Sequence, residues 1–182
     1  GREGAVTPVH VYTSGDTAEL FVNGRSQGVR RKGPFEYRLR WDSVRYEPGE
    51  VRVVTWRNGT PWAESRVETA GEAAFVELVS DRPTMRAAGE DLLFVTAKIT
   101  DREGRFVPQA AVLLDFSVEG SARIVASDNG DPTSHASFRS SSVRTFNGLA
   151  LVILRSTGES GEVRLKVRGD DVAPANLRLL AE

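Results

Sequence analysis

The 182-residue chain predicts an all-β fold built as antiparallel sandwiches. Three observations carry that prediction. Apolar residues recur at every second position rather than at helical spacing. Gly, Asn, Asp and Pro punctuate the apolar runs. The runs are short and fall roughly 8 to 12 residues apart, which is sandwich spacing rather than the strand–helix alternation of an α/β domain.

Taken in order, the first strand surrounds "VHVY", where His10 alternates with Pro8 and Tyr12 and is expected to be structural. "VNGRSQG" carries Asn23-Gly24, the dipeptide of a tight hairpin. Arg30, Arg31 and Lys32 lie between Gly28 and Gly33 and read as a solvated turn. "PFEYRLRWD" then places Phe35, Tyr37, Leu39 and Trp41 on one face and Glu36, Arg38, Arg40 and Asp42 on the other, which makes Trp41 a core residue. Pro48-Gly49 marks a tight turn, and Asn58-Gly59 a second hairpin. The pattern resets at "VETAGEAAFVEL", which predicts domains at 1–70 and 72–182. In the second part, "LLFVTAKIT" aligns Leu93, Val95, Ala97 and Ile99. Glu103-Gly104 follows as a third hairpin turn. "VLLDFSVEG" aligns Val112, Leu114, Phe116 and Val118, and "GEVRLKVRG" aligns Val163, Leu165 and Val167.

Composition narrows the function. At 40% hydrophobic and 27% charged residues the chain is ordinary for a folded globular protein. A net charge of −1 gives no electrostatic footprint for nucleic acid, and no apolar run approaches the roughly 20 residues of a membrane span. The opening "GREGAVTPVH" lacks the apolar core of a signal peptide. The chain has no cysteine, which removes disulfides, thiolate metal sites and cysteine nucleophiles, and leaves the redox compartment open.

The densest cluster of reactive side chains is "SDNGDPTSH", Ser127 to His135. It contains the residue types of a Ser-His-Asp triad, yet it lacks a nucleophile elbow such as G-x-S-x-G. Asp128, Asn129 and Asp131 are calcium-ligand types at the wrong spacing for an EF-hand, so a structural cation is the weaker alternative. The simpler expectation is a loop leaving the strand "ARIVAS". There Asp and Asn cap backbone donors, Gly130 takes a positive φ and Pro132 fixes the exit. No metal or cofactor is predicted.

Longer stretches carry a family resemblance. "VHVYTSGDTAELFVNGRSQG", followed by "YRLRWDSVRYEPGEVRVVTWRNG", resembles the immunoglobulin-like domain that follows the catalytic barrel in bacterial glycoside hydrolase family 2 enzymes of the β-galactosidase type. "DRPTMRAAGEDLLFVTAKITDREGRFVPQA", "VASDNGDPTSHASF" and "RTFNGLALVILRSTGESGEVRLKV" resemble the last immunoglobulin-like domain of the same enzymes. The resemblance implies two tandem immunoglobulin-like sandwiches that form a non-catalytic accessory region of a bacterial glycosidase. The parent's acid/base and nucleophile glutamates would sit on a (β/α)₈ barrel upstream of residue 1. It implies no catalytic residue in this chain. The expected partners are the barrel and the other domains of the parent, with a homodimer as a further use of the same surface. A periplasmic or secreted location is expected ahead of a cytoplasmic one. On this resemblance Asp128, Asn129, Asp131 and His135 are candidates to face the barrel or a distal sugar.

The alternative is a carbohydrate-binding module that anchors the enzyme to a galactoside or polysaccharide through exposed aromatic rings. Trp62 is its first candidate, followed by Tyr46, Trp56 and Tyr12. For Trp62 the competing expectation is packing across the hairpin against Trp56. A surface adhesin fragment is a further rival, disfavoured because the two halves do not repeat each other.

Overall fold

A computed structural model describes residues 2–182. The chain divides into two compact units, Gly1–Thr69 and Ala70–Glu182. Among the described residues every regular element is a strand.

The first unit has six strands: β1 (Val9–Tyr12), β2 (Thr17–Val22), β3 (Arg25–Arg31), β4 (Arg38–Trp41), β5 (Glu50–Arg57) and β6 (Thr60–Glu68). β1 and β4 form a two-stranded antiparallel sheet, and the other four form a sheet in the order β3-β2-β5-β6. Val11, Leu39, Trp41 and Val44 from one layer pack with Ala18, Leu20 and Val22 from the other, and these seven residues are the core. Two-residue alternation explains which side chains go in: β2 reads half-buried then buried at successive positions throughout. Trp41 is 3% exposed, and its indole Nε1 donates to the Gly28 carbonyl at 3.0 Å, so the one polar atom of the ring is satisfied.

Both Asn-Gly hairpins form. Asn23 and Gly24 have φ of 48° and 76°, Asn58 and Gly59 of 51° and 77°, the pair of positive values that suits strand twist. Asn23 does a second task. Its Oδ1 accepts from the Glu50 amide at 2.8 Å and its Nδ2 donates to the Pro48 carbonyl at 3.1 Å, so it ties the Pro48-Gly49 turn to the β2–β3 hairpin.

The expected face at Phe35, Tyr37, Leu39 and Trp41 is only half realised. β4 begins at Arg38, and the chain before it turns at Pro34-Phe35, with the Glu36 carboxylate accepting from the Gly33 amide at 2.7 Å. Pairing with β1 ends at Tyr12 opposite Arg38. Phe35 and Tyr37 therefore never enter the sandwich and stand 98% and 67% exposed.

The second unit has nine strands: β7 (Phe75–Ser80), β8 (Thr84–Met85), β9 (Leu92–Thr100), β10 (Leu113–Gly120), β11 (Ala122–Asp128), β12 (Ser142–Arg144), β13 (Leu149–Ser156), β14 (Gly161–Gly169) and β15 (Val172–Ala181). One antiparallel layer runs β11-β13-β9-β7 and the other β15-β14-β10-β12, with β8 alongside β15. A single parallel bridge, Ala173 to Phe75, links the layers at one edge. Leu93, Val95, Ala97 and Ile99 face Leu114, Val163, Leu165 and Val167 in the core, the inward sets expected from the alternation.

Glu103-Gly104 is a turn, with Gly104 at φ 78°, closed by the Thr100–Phe106 bridge and by the Arg105 carbonyl accepting from the Asp101 amide at 2.9 Å rather than by a pair of long strands. Asp101 organises it. This carboxylate is 1% exposed and accepts from the amides of Gly71, Glu103 and Arg105 at 2.8, 3.1 and 2.7 Å, with the Arg105 guanidinium at 3.6 Å. Those three amide donors, the Gly71 bond first among them, hold its carboxyl below the ordinary value of 3.8.

Candidate functional site

The 127–135 loop is built from the end of β11 outward. Ser127 is buried; its amide donates to the Phe138 carbonyl and its hydroxyl to the Ser140 carbonyl, both at 2.7 Å. The loop is thereby pinned to the strand's return path, and this serine is committed to backbone acceptors. Asp128 Oδ1 accepts from the Asn129 amide at 2.7 Å. Asn129 bridges two segments, accepting from the Asp131 amide at 2.9 Å and donating to the Arg144 carbonyl at 2.8 Å. Asp131 Oδ1 accepts from both the amide and the hydroxyl of Thr133, at 2.8 and 2.7 Å. Those two donors, the amide first, hold its carboxyl below the ordinary value of 3.8. Gly130 has φ 72°. Asn129 and Asp131 thus make two consecutive Asx turns, the capping arrangement the residue types suggest. The carboxylates point back into the loop's own amides, and among the described residues no group of three or more His, Cys, Asp or Glu converges as a metal site. His135 is exposed and stands outside the loop's hydrogen bonds.

The aromatic candidates do not share a surface. Trp62 is 50% exposed; its Nε1 donates to Ser14 Oγ at 2.8 Å and the Arg57 guanidinium lies 5.0 Å from its ring centroid. One face of the ring is therefore taken by a cation. Trp56 is half-buried in β5, opposite Pro61 rather than Trp62, because the β5–β6 register shifts at that point. Tyr46 is half-buried with its hydroxyl 3.1 Å from Thr69 Oγ1. It sits at the Glu50 end of β5, whereas the tryptophans sit at the Arg57 end, about 20 Å away along an extended strand.

The exposed rings lie elsewhere. Tyr12 and Tyr37 stand with centroids 6.2 Å apart, Arg38 lies 5.4 Å from the Tyr37 ring, and Phe35 is nearby in sequence and almost wholly exposed. The pairing of β1 with β4 could have revealed this patch, because it sets Tyr12 opposite Arg38 on the outer face.

Comparison with known proteins identifies the family. Residues 76–178 match the family model described as glycoside hydrolase family 2 C-terminal domain 5, and residues 4–63 match a domain of unknown function. The chain is 37% identical over 171 residues to the β-galactosidase BoGH2A of Bacteroides ovatus, covering 94% of this chain and 20% of that protein. It is 25% identical over 168 residues to a β-glucuronidase of Formosa agariphila, covering 91% of this chain and 17% of that one. Among solved structures, a glycosyl hydrolase family 2 member from Bacteroides cellulosilyticus superposes with a TM-score of 0.96 at 30% identity, over 100% of this chain and 24% of that one. A β-glycosidase from Bacteroides vulgatus gives 0.92 at 30% identity, over 100% and 23%. The chain thus spans about a fifth of the length of the curated relatives it matches. It belongs to glycoside hydrolase family 2, to the C-terminal region of those enzymes.

Proposed function

We propose that both units are accessory modules of a longer β-galactosidase-like glycosidase, and that they pack against a catalytic barrel which carries the hydrolysis of O-glycosidic bonds. The observation that carries this reading is the match to a family 2 C-terminal domain, together with a relative named β-galactosidase five times as long. The exposed Phe35, Tyr37 and Tyr12 support it, since clustered exposed aromatic surface marks a contact face. In this reading the 128–135 loop lies near the barrel mouth, with His135 the side chain best placed to reach outward. The isolated chain is expected to release no nitrophenol from a nitrophenyl β-galactoside. The parent enzyme shortened by this region is expected to lose activity on warming several-fold faster than the intact one, because it exposes a contact surface normally covered. Turnover by the isolated chain at an enzyme-like rate would overturn the proposal.

A second reading, a carbohydrate-binding module, is favoured by one observation: half of the Trp62 ring remains exposed beside a hydroxyl and a guanidinium. It expects retarded migration of the chain in galactan-containing gels, abolished by Trp62→Ala. Unretarded migration rejects it.

A further inference from the structure

The outward face of the second unit carries a feature that scaffolding does not use. Along β14 the inward Val163, Leu165 and Val167 alternate with outward Arg164, Lys166 and Arg168. Arg178 of β15 stands directly opposite Arg164 in the register, and Asn176 opposite Lys166. The register shifts between Val167 and Gly169, a bulge that places Arg168 beside Pro174 and Ala175 of β15. The result is a depression of about 360 Å³ lined by Arg164, Lys166, Arg168, Arg178, Asn176 and the Pro174-Ala175 segment.

Like charges placed directly opposite on a sheet repel, so the Arg164–Arg178 pair costs stability unless an anion lies between them. The chain supplies one only in part. Glu162 accepts from Arg164 Nη2 at 3.1 Å and lies 3.7 Å from Arg178 Nε, so a single carboxylate serves two guanidinium groups. Lys166 is paired with Glu119 at 2.5 Å. Asp115 faces Arg168 across the β10–β14 register, but that carboxylate accepts from the Ser142 hydroxyl and forms no ion pair with Arg168 among the described residues. Arg164 Nε is buried with no acceptor. Among the described residues four cations thus line the depression against three nearby carboxylates, with the Arg168 guanidinium uncommitted and Arg164 half-satisfied.

The geometry points to a binding site for a saccharide that carries an acidic group. The arginines would hold its carboxylate or sulfate by charge-assisted hydrogen bonds. The Asn176 carboxamide would meet ring hydroxyls, and the Pro174-Ala175 segment offers an apolar floor to the C–H face of a sugar. An arginine fork suits a planar carboxylate better than a lysine does, which is why Arg168 and Arg178 are the residues to test.

The experiment is titration of the uniformly ¹⁵N-labelled 182-residue chain with glucuronate, glucose and inorganic sulfate in parallel, followed by amide and arginine Nε–H resonances. Glucuronate is expected to shift signals of residues 164–168 and 174–178 with saturation, and glucose is not. Arg168→Gln, an exposed change that leaves the core intact, is expected to weaken glucuronate about tenfold, the loss of one charge-assisted contact. Three results overturn the inference. They are no localised shift with glucuronate, equal shifts with glucose, or shifts with sulfate alone, the last marking an inorganic-anion site only.

Discussion

Trp41→Ala is expected to unfold the first unit outright at room temperature while the second unit keeps its own melting transition. Truncating a buried tryptophan costs about 3–5 kcal/mol. A sandwich of this size buries a smaller fraction of its surface than a larger domain, and a single core of that kind supplies only about 3–5 kcal/mol in total. The two figures meet. The seven-residue core has no redundancy to absorb the loss, since Trp41 is its largest member and spans from β4 to the Gly28 carbonyl beyond β2. Trp41→Phe keeps most of the apolar contact and loses the indole bond to Gly28, so a folded but less stable first unit is expected. Calorimetry of the full chain reads both: two transitions in the parent sequence, one in Trp41→Ala, two with the first lowered in Trp41→Phe. An unchanged first transition in Trp41→Ala would show that the core is not the source of that unit's stability.

Asp101→Ala is expected to lower the melting midpoint of the second unit by several degrees, because it removes a buried carboxylate that accepts from three amides at once. The pH dependence gives a sharper test. The folded carboxyl is held below its ordinary value of 3.8. Its contribution is therefore fully present above the unfolded value and is lost as pH falls through the folded one. The gap between parent and variant midpoints should be wide at pH 7, still wide at pH 5, and should close as the pH drops below about 4. A gap that stayed constant down to pH 2 would mean that the charge on Asp101 contributes nothing and only its shape matters.

Strand identity was legible from residue order because the physics behind it is local. A strand buried on one face needs an apolar residue at every second position, and β9 and β14 show that pattern without interruption. Asn-Gly turns were legible for the same reason, since left-handed backbone at two successive residues is a requirement of the turn itself. The fate of Phe35 and Tyr37 was not legible. Alternation says which residues share a face, while the place where pairing with β1 stops depends on a turn closed by Glu36, and that is a tertiary outcome. The capping role of the 127–135 loop followed from residue type alone, because Asp and Asn reach their own neighbours' amides whatever the fold. The depression on β14 and β15 was half legible. The outward Arg164, Lys166 and Arg168 are the complement of the inward valines and leucine, yet which cation they face depends on cross-strand register, and the bulge beside Arg168 leaves no mark in sequence.

The bond between Asn23 and the Pro48-Gly49 segment means that two bends 25 residues apart in the chain are tied to one another. A methyl group at Gly49 would fall 2.0 Å from Asn23 Oδ1, and the backbone there sits at φ 129°. Replacing Asn23 to make room would hand the Glu50 amide and the Pro48 carbonyl to water and untie the two bends. The side chain at Asn23 thus restricts what position 49 can hold, and a bulkier residue there has to wait until position 23 has changed.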